Sequence, residues 1–95
     1  MPETTIARRL LIRGRVQGVS YRANAQAEAE RLGLSGWVRN RMDGSVEALV
    51  SGPQQTVEQF MVWARNGPRA ARVDEVEFAE VEPPEPGPFS VRPTA

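Results

Sequence analysis

Near its N-terminal end the chain carries Gly14-Arg15-Val16-Gln17-Gly18-Val19-Ser20-Tyr21-Arg22, a run whose residue types suit the binding of a phosphate-sized anion. A glycine-containing loop between a strand and a helix can turn several backbone N–H groups toward one point. The helix N-terminus beyond it adds unpaired donors and a partial positive charge. Arg22, in the first helical turn, would ordinarily be repelled by that positive end. An arginine there makes sense if a doubly charged anion lies between it and the amides, because its planar fork grips two phosphate oxygens at once. At about 4 Å and an effective dielectric near 20, each unit-charge pair contributes roughly 4 kcal/mol before desolvation. The competing account is a glycine turn followed by a surface arginine, and Arg15 alone reads as a solvated charge.

A second segment, Gly36-Trp37-Val38-Arg39-Asn40, leads through Arg41-Met42-Asp43-Gly44 to Ser45-Val46 and on to Gly52. The Asn40 carboxamide offers a donor and an acceptor, so it can hold a water molecule in one orientation. The alternative is a pre-turn asparagine bonded to local backbone.

Ile6 to Arg13 alternates well enough to predict a strand, although Arg8 falls on its apolar face, near an edge or end. Gly14 to Gly18 then reads as a loop. Ala25, Ala29 and Leu32 mark a helix over about 22–32, with Gly33 placed to cap it. Gly36 to Asn40 is a short strand, and Asp43-Gly44 signals a hairpin back into a strand over Ser45–Ser51. Ser51-Gly52-Pro53 opens a second helix with one apolar stripe, Val57, Phe60, Met61 and Ala64, off which Trp63 falls. Asn66-Gly67-Pro68 ends it. Arg72 to Val81 is a strand whose two faces are mixed, which suggests a bulge. A stiff loop over 83–88 and a short strand, Phe89 to Arg92, close the chain. The order βαββαβ predicts an α+β fold of ferredoxin-like, split βαβ type: an antiparallel sheet with two helices on one face. In such a sheet the strand ending at Asn40 can lie beside the first one, which would bring Asn40 near Gly18. The fold alone decides nothing about chemistry.

Composition narrows the chemistry further. The 95 residues give room for a single domain, 1–95, and include neither cysteine nor histidine. Disulfides, thiolate metal sites, a cysteine nucleophile and every Ser-His type triad are excluded. No apolar run approaches the ~20 residues of a membrane span, and Met1-Pro2-Glu3-Thr4-Thr5 lacks a leader pattern, so a cytoplasmic protein is expected. The net charge is zero, but residues 1–41 carry +5 and residues 42–95 carry −5. Positive charge gathered in one half of a balanced chain suggests a local anion site more than a nucleic-acid surface.

Taken together, the two segments resemble the acylphosphatase family. Gly14 to Arg22 matches that family's signature, glycine-any-Val-Gln-Gly-Val-any-aromatic-Arg, and Gly36 to Gly52 is similar to its second one. Gln26-Ala27-Glu28 and Leu32-Gly33-Leu34 are typical as well. The resemblance implies hydrolysis of the carboxyl–phosphate bond of a small acyl phosphate, with inorganic phosphate as product and no metal or cofactor. Carbamoyl phosphate and 1,3-bisphosphoglycerate belong to the implied substrates, unranked. By this resemblance the catalytic residues are Arg22, which takes the substrate phosphate, and Asn40, which orients water. The amides of Arg15, Val16, Gln17, Gly18 and Val19 form the phosphate loop. Ser20 stands at a variable position and receives no role. The tail Arg92-Pro93-Thr94-Ala95 departs from the aromatic ending of several members.

The chemistry agrees with so sparse a set. An acyl phosphate leaves as a carboxylate, already a weak base, so no general acid is needed. Phosphoryl transfer through a loose transition state asks chiefly for a positioned water and stabilised equatorial oxygens. The expectation is direct in-line attack by water in a free-standing, monomeric enzyme without nucleic-acid or membrane partners. The alternative is a non-catalytic anion- or RNA-binding module on the same fold. RNA-recognition domains stack bases on aromatics of their central strands, and neither Leu10-Leu11-Ile12 nor Ser45 to Ser51 has one.

Overall fold

The computed structural model describes residues 4–95, and the leader reading at Met1 to Glu3 falls outside them. The alternation around Ile6 becomes a longer strand, β1 (Thr5–Arg15), because it is paired along both edges. Leu10 and Ile12 on one face are fully buried, whereas Arg9, Leu11 and Arg13 occupy the other. Arg8 shares the buried face near the strand's start. Its Nη1 donates to Met61 Sδ at 3.1 Å, and its guanidinium lies 5.3 Å from the Phe78 ring centre.

Gly14 and Arg15, expected in the loop, belong to β1. Arg13 faces Glu75 while Gly14 faces Val73, so Asp74 is an extra residue on the facing strand, β4 (Arg72–Val81). Gly14 adopts φ 134°, and a Cβ there would collide with the Arg72 carbonyl oxygen. Because of this bulge Val73 before it and Val76 after it, of opposite parity, both reach the helix-covered face. Beyond it the pairing from Glu75 to Val81 is regular, and Phe78, Ala79 and Val81, the residues that mix the faces in the sequence, are all exposed.

The first helix, α1 (Tyr21–Arg31), buries Tyr21, Ala25 and Ala29. It ends as expected at Gly33 (φ 70°), where the Gly33 and Leu34 amides donate to the Glu30 and Ala29 carbonyls. Strands β2 (Ser35–Asn40) and β3 (Val46–Pro53) flank the Asp43-Gly44 turn. Ser51, Gly52 and Pro53, expected to open the second helix, stay in β3 because Ser51 to Pro53 pair with Ala7 to Thr5 of β1. The helix α2 (Gln54–Asn66) starts one residue later, with Pro53 as its N-cap, and buries the whole expected stripe. Trp63, off the stripe, rests 5.2 Å from the Tyr21 ring and 5.6 Å from that of Phe60, so it joins the two helices. The last strand, β5 (Ser90–Val91), is shorter than expected, but its pairing mode persists. The Arg92 and Ala95 amides donate to the Val38 and Asn40 carbonyls at 2.9 and 3.0 Å.

The sheet order is β4-β1-β3-β2-β5. The four long strands are antiparallel, and β5 joins β2 in parallel, which makes the sheet mixed. Contrary to expectation, β2 does not neighbour β1. The hairpin pairs β2 with one edge of β3, and β1 takes the other edge. Both helices cover the same face, over a core of Leu10, Ile12, Val38, Val46, Val50 and Phe60. This is the α+β ferredoxin-like arrangement read from the element order.

On the helix-free face, Glu47 of β3 has a side chain only 3% exposed. It accepts from Arg39 Nε at 2.7 Å, Arg41 Nη1 at 3.4 Å and Arg9 Nε. Burial works against this carboxylate, but the bonds from Arg39 and Arg9 and their charges outweigh it and hold its pKa below the ordinary range. The unfolded value is about 4.3. The resulting stabilisation is therefore complete above that pH and is lost as pH falls through the lower folded value. Glu47→Gln is expected to cost about 2–3 kcal/mol near neutrality, below the usual cost of splitting a fully buried pair because its arginines are half exposed. It should also flatten the acid limb of a plot of Tm against pH. A variant as acid-sensitive as the parent would remove Glu47 as the source.

Candidate active site

β1 delivers the chain to a five-residue loop, 16–20, ahead of α1. Val16 is buried and Val19 packs against the core, so the loop's apolar side chains turn inward. Among the described residues, no acceptor receives the backbone N–H of Val16, Gln17, Gly18, Val19 or Ser20. Such a row of free amides ordinarily faces water or an anion. Gly18 (φ 74°) supplies the left-handed turn that a glycine takes without cost.

Ser20 is less ordinary. It is the one non-glycine residue among those described with positive φ (63°), a conformation costing about 1–2 kcal/mol. It is also the N-cap of α1, yet its hydroxyl makes no capping bond. Its carbonyl accepts from the Asn24 amide at 3.1 Å and from Asn24 Nδ2 at 2.8 Å. The first-turn amides of α1 are thereby left without the side-chain cap that a serine usually provides. Tyr21 fixes that helix end from below. Its hydroxyl donates to the Ala64 carbonyl at 2.8 Å, and burial pushes its pKa up, so the phenol stays neutral.

Asn40 reaches this region although β3 separates its strand from β1. The connection is made by the Gln17 side chain, whose Nε2 donates to the carbonyls of Arg41 (2.7 Å) and Ser45 (2.8 Å). One carboxamide thus clamps the loop onto the turn that follows Asn40. The turn itself is braced by Asp43 Oδ1, which accepts from the Ser45 amide at 2.9 Å and from Ser45 Oγ at 2.6 Å.

Gly18, Ser20, Arg22 and Asn40 border one half-open cavity of about 410 Å³, with Val16 and Tyr21 also lining it. Ala23, Gln26 and Val91 complete its lining. The Asn40 Oδ1 atom is buried and has no hydrogen-bond partner. Arg22 makes no ion pair among the described residues, whereas Arg8, Arg9, Arg13, Arg39 and Arg41 all pair with glutamates. No group of three or more metal-ligating Asp, Glu, His or Cys residues occurs among the described residues.

Of the residues expected at the site, Arg22, Asn40, Val16 and Gly18 therefore meet at one cavity. Arg15 is exposed at the end of β1, and neither it, Gln17 nor Val19 is part of the cavity lining. The Gln17 clamp and the Ser20 backbone were missed. The signature specifies glutamine at position 17 without telling what its side chain holds, and nothing announces the Ser20 conformation, since serine is a poor choice for positive φ. Tyr21 could have been found from its place one turn before Ala25 on the apolar face of the helix.

These features are those of a small ferredoxin-like domain with free loop amides and an arginine without an ion pair beside one cavity, and comparison with known proteins gives it a family. The acylphosphatase family model matches residues 8–91. The chain is 63% identical over 94 residues to an acylphosphatase of Azoarcus sp. (strain BH72), covering 98% of this chain and 96% of that one. The chain belongs to the acylphosphatase family. Its fold is similar to that of an acylphosphatase from Coxiella burnetii, with a TM-score of 0.89 and 32% identity over 93% of each chain. It also matches full-length HypF in a phosphate- and nucleotide-bound form (TM-score 0.91, 27% identity), covering 99% of this chain but 13% of that one.

Proposed function

We propose that this protein hydrolyses acyl phosphates by direct in-line attack of water, with Arg22 and Asn40 as its catalytic residues and no metal or cofactor in the step. The water oxygen forms a bond to phosphorus as the bond from phosphorus to the acyl oxygen breaks. A carboxylate and inorganic phosphate leave, and the water's proton passes to solvent or to the phosphate. The amides of residues 16–20 and the uncapped start of α1 receive the phosphoryl oxygens, and Arg22 balances their charge as it spreads in the transition state. Asn40 Oδ1 accepts a hydrogen bond from the attacking water and fixes its direction. The observation that carries this reading is that Arg22, which makes no ion pair among the described residues, lines one cavity with Val16, Gly18 and Ser20, whose amides are free, and with Asn40, whose carboxamide oxygen has no partner.

The same reading takes residues 1–95 as one domain acting as a monomer in the cytoplasm, on a small substrate rather than a membrane or nucleic acid. It is supported by the family match over 8–91, and no described helix is long and apolar enough to cross a membrane. The test is hydrolysis of benzoyl phosphate in excess EDTA. Turnover that survives chelation is expected. A folded protein that fails to hydrolyse it, or that loses activity to the chelator and regains it with added divalent metal, would overturn the proposal.

A further inference from the structure

We propose that the acyl half of the substrate is read by Val91 and Gln26, and that this subsite selects uncharged, apolar acyl groups over those carrying a second phosphate. The inference rests on reading the cavity as an acyl phosphate site. The charged and backbone donors suited to a phosphate come from the loop 16–20 and from Arg22 in the first turn of α1. A water molecule takes up about 30 Å³ of liquid, so one phosphoryl group and its attacking water leave most of the 410 Å³ unfilled.

What walls the remainder follows from the fold. α1 runs away from the loop, and Ala23 and Gln26 succeed Arg22 along it. On the opposite side β5 sets Val91 beside Val38 of β2, and Asn40 lies two residues further along β2 on the same face. Gln26 Nε2 reaches the Phe89 carbonyl at 3.4 Å, joining α1 to the segment that carries Val91. Val91 itself is 40% exposed, an apolar side chain presented to an open space rather than to the core.

Charge decides between substrate types. Among the described lining residues Arg22 is the only ionised one. Of the other arginines of this region, Arg15 is exposed outside the cavity lining, and the rest are engaged on the opposite face of the sheet. Arg39 and Arg41 bind Glu47, and the Arg92 guanidinium lies 4.8 Å from the centre of the Trp37 ring. A second phosphate in the cavity would have no cation to meet and would lie against valine and alanine. An aromatic or branched aliphatic acyl group would bury apolar surface there instead.

The test compares kcat/KM for benzoyl phosphate, acetyl phosphate and 1,3-bisphosphoglycerate in the parent protein, in Val91→Asp and in Val91→Arg. The parent should prefer benzoyl to acetyl phosphate and both to 1,3-bisphosphoglycerate. Val91→Asp should lower the benzoyl-to-acetyl ratio about tenfold, and Val91→Arg should raise the 1,3-bisphosphoglycerate-to-benzoyl ratio by about as much. Val62→Asp, on an exposed site of α2, serves as the control and should leave both ratios unchanged. Ratios unchanged in both Val91 variants, or a parent preference for 1,3-bisphosphoglycerate, would overturn this inference while leaving acyl phosphate hydrolysis in place. A parent protein inactive on all three substrates would remove the underlying reading and this inference with it.

Discussion

Replacing Arg22 by glutamine is expected to raise KM and lower kcat together, cutting kcat/KM by roughly three to four powers of ten, or about 4–5.5 kcal/mol. Both constants move because the dianionic phosphoryl group needs its counter-charge on binding and needs it more as charge spreads over the equatorial oxygens. Arg22 is free to supply that charge, since it makes no ion pair among the described residues. A cation in the first turn of a helix also opposes the helix dipole, by about 0.3–1 kcal/mol. The glutamine variant should therefore melt no lower than the parent and up to a few degrees higher. Arg22→Lys keeps the charge but loses the two-pronged grip, so it should recover only part of the lost activity. A lysine variant as active as the parent would show that charge alone is used. A glutamine variant with unaltered inhibition by inorganic phosphate would remove Arg22 from the binding site.

The fold was legible wherever a local pattern and the tertiary structure asked for the same residue. The stripe Val57, Phe60, Met61 and Ala64 is buried as a unit, and Gly33 caps α1, because helix period and left-handed glycine are local properties. The misreadings all involve partners distant in the chain. Two close glycines break periodicity and predict a loop at Gly14, yet β4 pairs with it and the bulge at Asp74 absorbs the mismatch. Proline favours the first position of a helix and predicts a helix opening at Pro53, yet pairing with Thr5 keeps it in β3. The uneven charge was legible but was largely misdirected as a sign of an anion site. Arg8, Arg9, Arg13, Arg39 and Arg41 from the basic half face glutamates of the acidic half across the sheet and on α2. Most of the asymmetry is thus a record of which segments contact one another; once those pairs and Arg31–Glu28 are subtracted, Arg15 and Arg22 remain in the basic half, and of the two Arg22 lines the cavity. The candidate site was legible as two segments but not as one place, since what joins them is the Gln17 side chain spanning a strand that the sequence order put elsewhere.

Asn40→Ala separates positioning from binding. It is expected to lower kcat by about a hundredfold or more, the usual cost of misplacing a reacting group. Competitive inhibition by inorganic phosphate should change by no more than about twofold, because the amides of 16–20 and Arg22 remain. The division follows from where the atoms lie. Asn40 stands at the end of β2, across the cavity from α1, and its Oδ1 is buried without a partner. A buried acceptor left unsatisfied costs about 1–3 kcal/mol, so a purely structural Asn40 would be a liability, and removing it should not destabilise the fold. The alanine variant is accordingly expected to unfold at the same denaturant midpoint as the parent or a higher one while its turnover collapses. Stability retained with activity lost places the cost of that orphaned oxygen on the reaction, where a substrate water would satisfy it. Stability lost in proportion to activity would instead make Asn40 a residue of the turn, held by contacts to its own backbone, and would return the positioning of water to some other group at the cavity. Most of the activity retained, or phosphate inhibition weakened as severely as in Arg22→Gln, would dissolve the division of labour between the two residues.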